Sequence, residues 1–303
     1  MNASERPQAP LLTNPRADRV REVAKLAGRS ARLRQKRFLA EGPQAVREAL
    51  RLHQTRRTAG EAAVVDEVYL TAETLERYPE FGSVVPPRMV TPEVLAEMSS
   101  TVTPQGAVAV CRFIDSPLTV VLQRRPRLIA VLVEVRDPGN AGTILRAADS
   151  AGADAVVLTS GSVDIYNPKA VRSTVGSLFH LPVVVGIDPG TLLRELSDRA
   201  VTLLAADGYG TWNLDRLQDA SAARRLAPSI GSTDSPDAGG PFLEAPTAWL
   251  FGNEAQGLGQ DVLQAADYRV SVPIYGSAES LNVGTAATVC LYASARAQRL
   301  EGR

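Results

Sequence analysis

The chain has 303 residues, 45% hydrophobic and 22% charged, which is enough to bury a core and too apolar for disorder as the overall state. Its 33 basic and 33 acidic residues cancel, no apolar run approaches the roughly 18 residues that span a bilayer, and the start, MNASERPQAP, has no apolar export segment, so a soluble cytoplasmic protein is expected. Two cysteines, Cys111 and Cys290, and two histidines, His53 and His180, are too few for a disulfide scaffold or a metal centre.

Residues 1–15, with three prolines, read as a disordered tail. From Asp18 to about Arg37, Val20, Val23, Ala24, Leu26 and Ala27 recur at helical spacing and predict one amphipathic helix. Between Arg16 and Arg37 nine basic residues stand against two acidic ones, +7 in a chain whose remainder carries −7. That local excess fits either a phosphate-rich partner or a solvated helix face. A helix over Gln44–Leu52 follows, then VVDEVYLT (64–71) as a strand, TAETLERYPEF as a helix, SVVPPRMVT as a short strand, PEVLAEMSS as a helix and TPQGAVAVCRF (103–113) as a strand. This alternation makes 16–114 a small α/β domain, with 115–127 as its linker to the next.

The second domain, 128–303, carries six Val/Ile/Leu-rich runs: 128–135, 155–160, 181–187, 201–207, 247–252 and 268–274. Near-continuous apolar strands separated by helix-length segments predict a parallel sheet covered on both faces. Residues 219–246, rich in Ala, Ser, Gly and Pro, break the pattern and read as a mobile insertion.

In parallel sheets ligands collect beyond the carboxyl ends of the strands. The loops there are RDPGNAGTILR, SGSVD, DGYG, GNEAQGLG and YGSAESLN, all rich in glycine or amides. Asn140 is expected just ahead of a helix starting near Gly142, with Arg146 one turn in. An arginine so close to a helix start works against the helix dipole, which points to an external anion. Glu254, between Gly252 and Gly257, either orients a ligand or caps a helix, and Ser280 and Asn282 flank Leu281 at the start of the last helix, where free N–H groups gather. His180 reads as a packed core histidine. There is no P-loop, no complete G-x-G-x-x-G fingerprint, no G-x-S-x-G elbow and no H-E-x-x-H.

Taken in order, N-x-G-x-x-x-R, FGNEAQGL and SLNVGTAA resemble the SpoU/TrmH-type RNA ribose 2′-O-methyltransferases of the SPOUT superfamily. RFLAEGPQAVREAL, TPQGAVAV and PKAVRSTVGSLFHLPV (168–183) are similar to its ribosomal RNA branch. The resemblance implies a ribosomal-protein-like α/β substrate-binding domain followed by a SPOUT α/β domain with a trefoil knot, an exception to unknotted chains. It implies S-adenosylmethionine as methyl donor, held near Thr159, Ala206, Gly252, Val272 and Leu281. Asn140, Arg146, Glu254, Ser280 and Asn282 fall on the family's catalytic positions. Arg146 would clamp phosphate and orient the ribose hydroxyl, with Asn140 and Glu254 holding it. Arg29, Arg32, Arg34, Lys36 and Arg37 would attract RNA, 23S rRNA or a ribosomal precursor, and the enzyme would be a homodimer. A tRNA methyltransferase and a non-catalytic ribosome-assembly factor are the alternatives.

Overall fold

The computed structural model of the chain describes residues 10–226 and 240–299, and it divides into two compact units. One comprises the chain up to Ile114 together with Asp164–His180; the other comprises Asp115–Val163 and the chain from Leu181 onward. Residues 164–180, expected in the second domain, therefore fold with the first.

The first unit is built on a four-stranded sheet of β1 (Arg37–Glu41), β2 (Val65–Leu70), β3 (Arg88–Met89) and β4 (Ala107–Arg112), in the order β1-β4-β2-β3. β4 runs antiparallel to both neighbours, and β3 adds parallel to β2. The single helix expected over 18–37 is instead two, Asp18–Ala24 and Arg29–Gln35, joined by a short 3-10 turn. Gly28, in extended conformation, breaks them apart, and Lys36 in the left-handed region ends the second and turns the chain into β1. Val20, Val23 and Leu26 enter a core with Leu39, Tyr69 and Leu95, so the first helix is amphipathic as its spacing predicts. Of the expected tail, residues 1–9 lie outside the described residues. Leu12 is not loose: its N–H donates to the Met89 carbonyl (2.9 Å) and its carbonyl accepts from Thr91 (3.1 Å). The 164–180 segment contributes Tyr166, which stacks on Phe113 at 4.0 Å and whose hydroxyl accepts from the Ile114 N–H at 2.9 Å.

The second unit holds a seven-stranded sheet of β5 (Leu128–Leu132), β6 (Ala155–Thr159), β7 (Val183–Ile187), β8 (Thr202–Ala206), β9 (Trp212–Asn213), β10 (Thr247–Phe251) and β11 (Tyr268–Ser271). Their order is β7-β6-β5-β10-β8-β11-β9 and every pairing is parallel. Alternate residues of the central strands, such as Ile129, Val131, Leu203 and Leu250, meet helices Pro189–Ser197 and Gln260–Ala265 on one face. On the other, helix Val283–Gln298 packs on β5 and β10 and against helix Pro138–Ser150; there the buried Trp249 indole donates to Ser294 at 2.9 Å. Both faces are covered, which is why these strands read as unbroken apolar runs.

Two boundaries differ from the sequence reading. The supposed linker contains helix Leu118–Gln123, whose Leu118, Val121 and Leu122 are buried in this unit's core. The expected insertion begins inside helix Leu214–Leu226 and ends in packed chain at Leu243, which is fully buried; residues 227–239 of it lie outside the described residues. Among the described residues no helix is long and apolar enough to cross a membrane, and no group of three His, Cys, Asp or Glu could hold a metal.

Candidate active site

At the carboxyl ends of β8, β10 and β11 lies a cavity of about 560 Å³, within the size range of small-molecule sites. Its wall includes a chain of side-chain hydrogen bonds that ties together three loops. Asp137 caps helix Pro138–Ser150 by accepting from the Asn140 N–H at 2.8 Å. Asn140 thus stands inside the first helical turn rather than ahead of it, and its side chain is free to leave the helix. Its Nδ2 donates to Glu254 Oε1 at 3.0 Å, and its Oδ1 accepts from Asn282 Nδ2 at 3.0 Å. Asn282 in turn caps helix Val283–Gln298, its Oδ1 accepting from the Gly284 N–H at 2.9 Å. The carboxylate fixes both amide orientations, because an ionised Glu254 can only accept, so Asn140 must donate there and accept from Asn282.

Burial works to raise the Glu254 pKa, but hydrogen bonds from Asn140 and from the backbone N–H groups of Glu254, Asp137 and Arg136 outweigh it and hold the group below the ordinary carboxylate range. Glu254 is therefore charged at neutral pH and does not serve as a proton reservoir. Because its folded pKa is depressed, whatever stability it confers is present above the unfolded value and lost as pH falls through the folded one.

The loop after β10 is closed on itself: Asn253 and Gly257 exchange backbone hydrogen bonds of 2.9 and 2.8 Å, and Asn253 Nδ2 donates to the Glu134 carbonyl at 3.1 Å. A Cβ on Gly252 would collide with the Gly257 carbonyl and the Leu258 nitrogen. Gly252→Ala must therefore push backbone apart at the cavity wall, at a cost typical of overpacking, ~1–3 kcal/mol. We expect cofactor affinity, read by titration calorimetry, to fall about tenfold or more; wild-type affinity would refute the close-packing role.

The cavity wall includes Asn140, Glu254, Ser280 and Asn282, and also Ala206, Gly252, Val272 and Leu281 of the expected cofactor set. Thr159 is not among them. It is 2% exposed and turned inward, its hydroxyl donating to the Leu132 carbonyl (3.3 Å) and accepting from the Glu134 N–H (3.2 Å). Arg146 lies on the exposed side of helix Pro138–Ser150. It is not held by Asn140 or Glu254 as expected, whose polar atoms are spent on each other, on Asn282 and on backbone; among the described residues it makes no hydrogen bond or ion pair. Sequence reasoning missed Asp207, a cavity residue held by Arg269 at 2.6 Å, and Asn253. Asp207 directly follows β8 and Asn253 lies two residues past β10, both in Gly-rich loops that the sequence had already marked.

The expected RNA-contact residues divide. Arg32 is 1% exposed and donates to Asp164 (2.8 and 3.0 Å) and to the carbonyls of Leu26 (3.0 Å) and Ala27 (2.6 Å), so it is a core residue and not an RNA contact. Arg37 is paired with Asp66 at 2.9 Å, and Lys36 lies over the Phe113 ring at 5.5 Å. Arg29 and Arg34 are exposed and, among the described residues, unpaired. His180 is not enclosed: its side chain is 41% exposed, 3.3 Å from Glu48.

Residues 127–292 match the model of the SpoU rRNA Methylase family and residues 17–109 that of the MRM3-like substrate binding domain. The chain is 33% identical over 279 residues, 90% of its length and 94% of the relative's, to 23S rRNA (guanosine(2553)-2′-O)-methyltransferase RlmP of Bacillus subtilis. It is 32% identical over 218 residues, 70% of its length and 67% of the relative's, to 23S rRNA (uridine(2479)-2′-O)-methyltransferase of Streptomyces viridochromogenes. The crystal structure of the SpoU methyltransferase AviRb from Streptomyces viridochromogenes, in complex with the cofactor AdoMet, superposes with a TM-score of 0.72 at 28% identity, covering 92% of this chain and 98% of that one. With a family model over more than half its length and a relative matched nearly end to end, this chain belongs to the SpoU rRNA methylase family.

Proposed function

We propose that the chain is an S-adenosylmethionine-dependent RNA ribose 2′-O-methyltransferase that acts on 23S rRNA in the cytoplasm. The observation that carries this reading is the Asn282–Asn140–Glu254 chain on the wall of a cavity at the carboxyl ends of parallel strands. The names of the relatives, both 23S rRNA 2′-O-methyltransferases, support the substrate. The cavity fits the cofactor: Phe251, Ile274 and Leu281 give apolar walls for an adenine ring, and the backbone of the loops at Gly252 and Val272 supplies polar groups beside them. When bound, S-adenosylmethionine supplies a methyl group on a cationic sulfur. Ala206, Gly252, Val272 and Leu281 would hold it.

The protein's part is mostly positioning. Glu254, Asn140 and Asn282 tie two helix starts and the loop after β10 together, and the exposed Ser280, which among the described residues makes no hydrogen bond, would meet substrate on that wall. Arg146, whose guanidinium carries donors and no acceptor, is assigned to the phosphate beside the target ribose and to orienting its hydroxyl, not to accepting its proton. The trefoil knot and the homodimer belong to the same proposal, in which the exposed Arg146 finds its RNA at a site completed by a second copy.

The test is methyl transfer from labelled S-adenosylmethionine to purified 23S rRNA, 16S rRNA and bulk tRNA in parallel. Label on 23S rRNA alone is the expected result. Label on tRNA alone would move the chain to the tRNA branch, and cofactor binding without label on any RNA would favour an assembly factor that has lost turnover.

A further inference from the structure

We infer that the first unit carries a preformed receptor for one unpaired nucleotide of the RNA, formed by the cavity of about 490 Å³ between helix Ala72–Arg77 and the 99–106 loop. The inference rests on the RNA methyltransferase reading above and names where its substrate is read. The buried Thr71 and Thr74 line the cavity together with the exposed Arg77, Gln105 and Glu73, which form its rim.

The loop is fixed at both ends, so the cavity needs no folding to form. At one end the buried Glu41 carboxylate accepts from the Ser99 hydroxyl (2.8 Å), the Ser100 N–H (3.2 Å) and the Ser100 hydroxyl (2.7 Å). At the other the Gly106 carbonyl accepts from the Thr71 N–H at 3.0 Å. Gly106 has φ +77°, and a Cβ there would strike the Thr74 hydroxyl, which keeps loop and helix in close contact. Gly42, at φ +89°, leaves room for Gln105 to fold over it; a Cβ would come 3.0 Å from Gln105 Oε1.

The rim chemistry matches an exposed base. Tyr78, on the wall, is braced by Phe81 at 5.2 Å and by the Arg47 guanidinium at 5.0 Å. Arg77 lies over the same ring at 5.4 Å. Among the described residues neither the Arg77 guanidinium nor the Gln105 amide makes a hydrogen bond, and both are exposed, so their donors and acceptor are open to a ligand. An aromatic ring with a guanidinium plane, next to an amide that can both donate and accept, is the usual equipment for stacking an unpaired base and reading its edge. Glu73 adds an acceptor for an exocyclic amino group.

The experiment uses the full chain and transcribed 23S rRNA. Arg77→Ala combined with Gln105→Ala should raise KM for rRNA about tenfold, the scale of one lost base stack, with S-adenosylmethionine affinity and melting temperature unchanged and turnover at saturating rRNA retained. Gln105→Glu, which keeps shape and removes the amide donors, should give a smaller rise. In rRNA bearing 4-thiouridine, crosslinks should map to the peptides holding Tyr78 and Gln105. Wild-type KM in the double variant overturns the inference. If the wild-type chain methylates no RNA, the proposed function fails instead, and filter binding of the same rRNA still decides this one: an unchanged Kd in the double variant overturns it.

Discussion

Arg146→Ala is expected to lower methyl transfer to 23S rRNA by roughly two to three orders of magnitude, the usual cost of removing one fixed electrostatic donor from a reacting centre. S-adenosylmethionine affinity should stay at the wild-type level. Arg146 is exposed and, among the described residues, makes no hydrogen bond and pairs with no acid. It is the ninth of the thirteen residues of helix Pro138–Ser150, two turns from the start and not in the last turn, so the helix dipole gives it no role either. A guanidinium kept there with its five donors open suits an external phosphate. Labelled methyl transfer under single turnover, beside calorimetric titration of the cofactor, separates the two effects. Residual activity within tenfold of wild type would remove Arg146 from the reacting centre.

The second large effect concerns stability. Arg32→Ala should cost about 3–5 kcal/mol, as breaking a buried ion pair from one side usually does. Arg32 is fully enclosed, its partner Asp164 is only 12% exposed in its side chain, and two main-chain carbonyls lose their donor as well. Urea unfolding of the full chain reads this directly. Arg34→Ala, two residues on and exposed, is the contrast: its stability should hold within ~0.5 kcal/mol, while the salt dependence of rRNA binding should weaken by about one phosphate contact. If Arg32→Ala instead unfolds like wild type and binds rRNA less well, the buried pair is not what holds this region.

These two arginines also mark where sequence was and was not a sufficient guide. The six main strands of the parallel sheet were legible because burial on both faces leaves long Val/Ile/Leu runs, and the loops that follow them pointed to Asn140, Glu254 and Asn282. The order β7-β6-β5-β10-β8-β11-β9 was not legible, since neighbours in a parallel sheet are chosen by tertiary packing. β1 was hidden because a strand that begins at Arg37 directly after a basic helix shows no period of its own, and β9 is two residues long. Helical spacing identified the apolar face of 18–27 correctly but could not say which member of a basic run turns inward, so Arg32 was read as surface. Thr159 failed for a related reason: the strand end was right, but its hydroxyl is spent on the Leu132 carbonyl.

The route of the chain has a practical consequence for dissecting this protein. Because Asp164–His180 folds with the first unit although it lies between β6 and β7, the polypeptide passes from one unit to the other three times. A fragment ending at Ile114 would lack Asp164 and leave Arg32 sealed in without its counter-charge. A graft of a foreign front half onto residues 115–303 would inherit a seventeen-residue piece tailored to the discarded one. Exchange of RNA-reading modules between relatives therefore has to carry two stretches of sequence together, and recombination at a single point after residue 114 should yield chains that fold poorly.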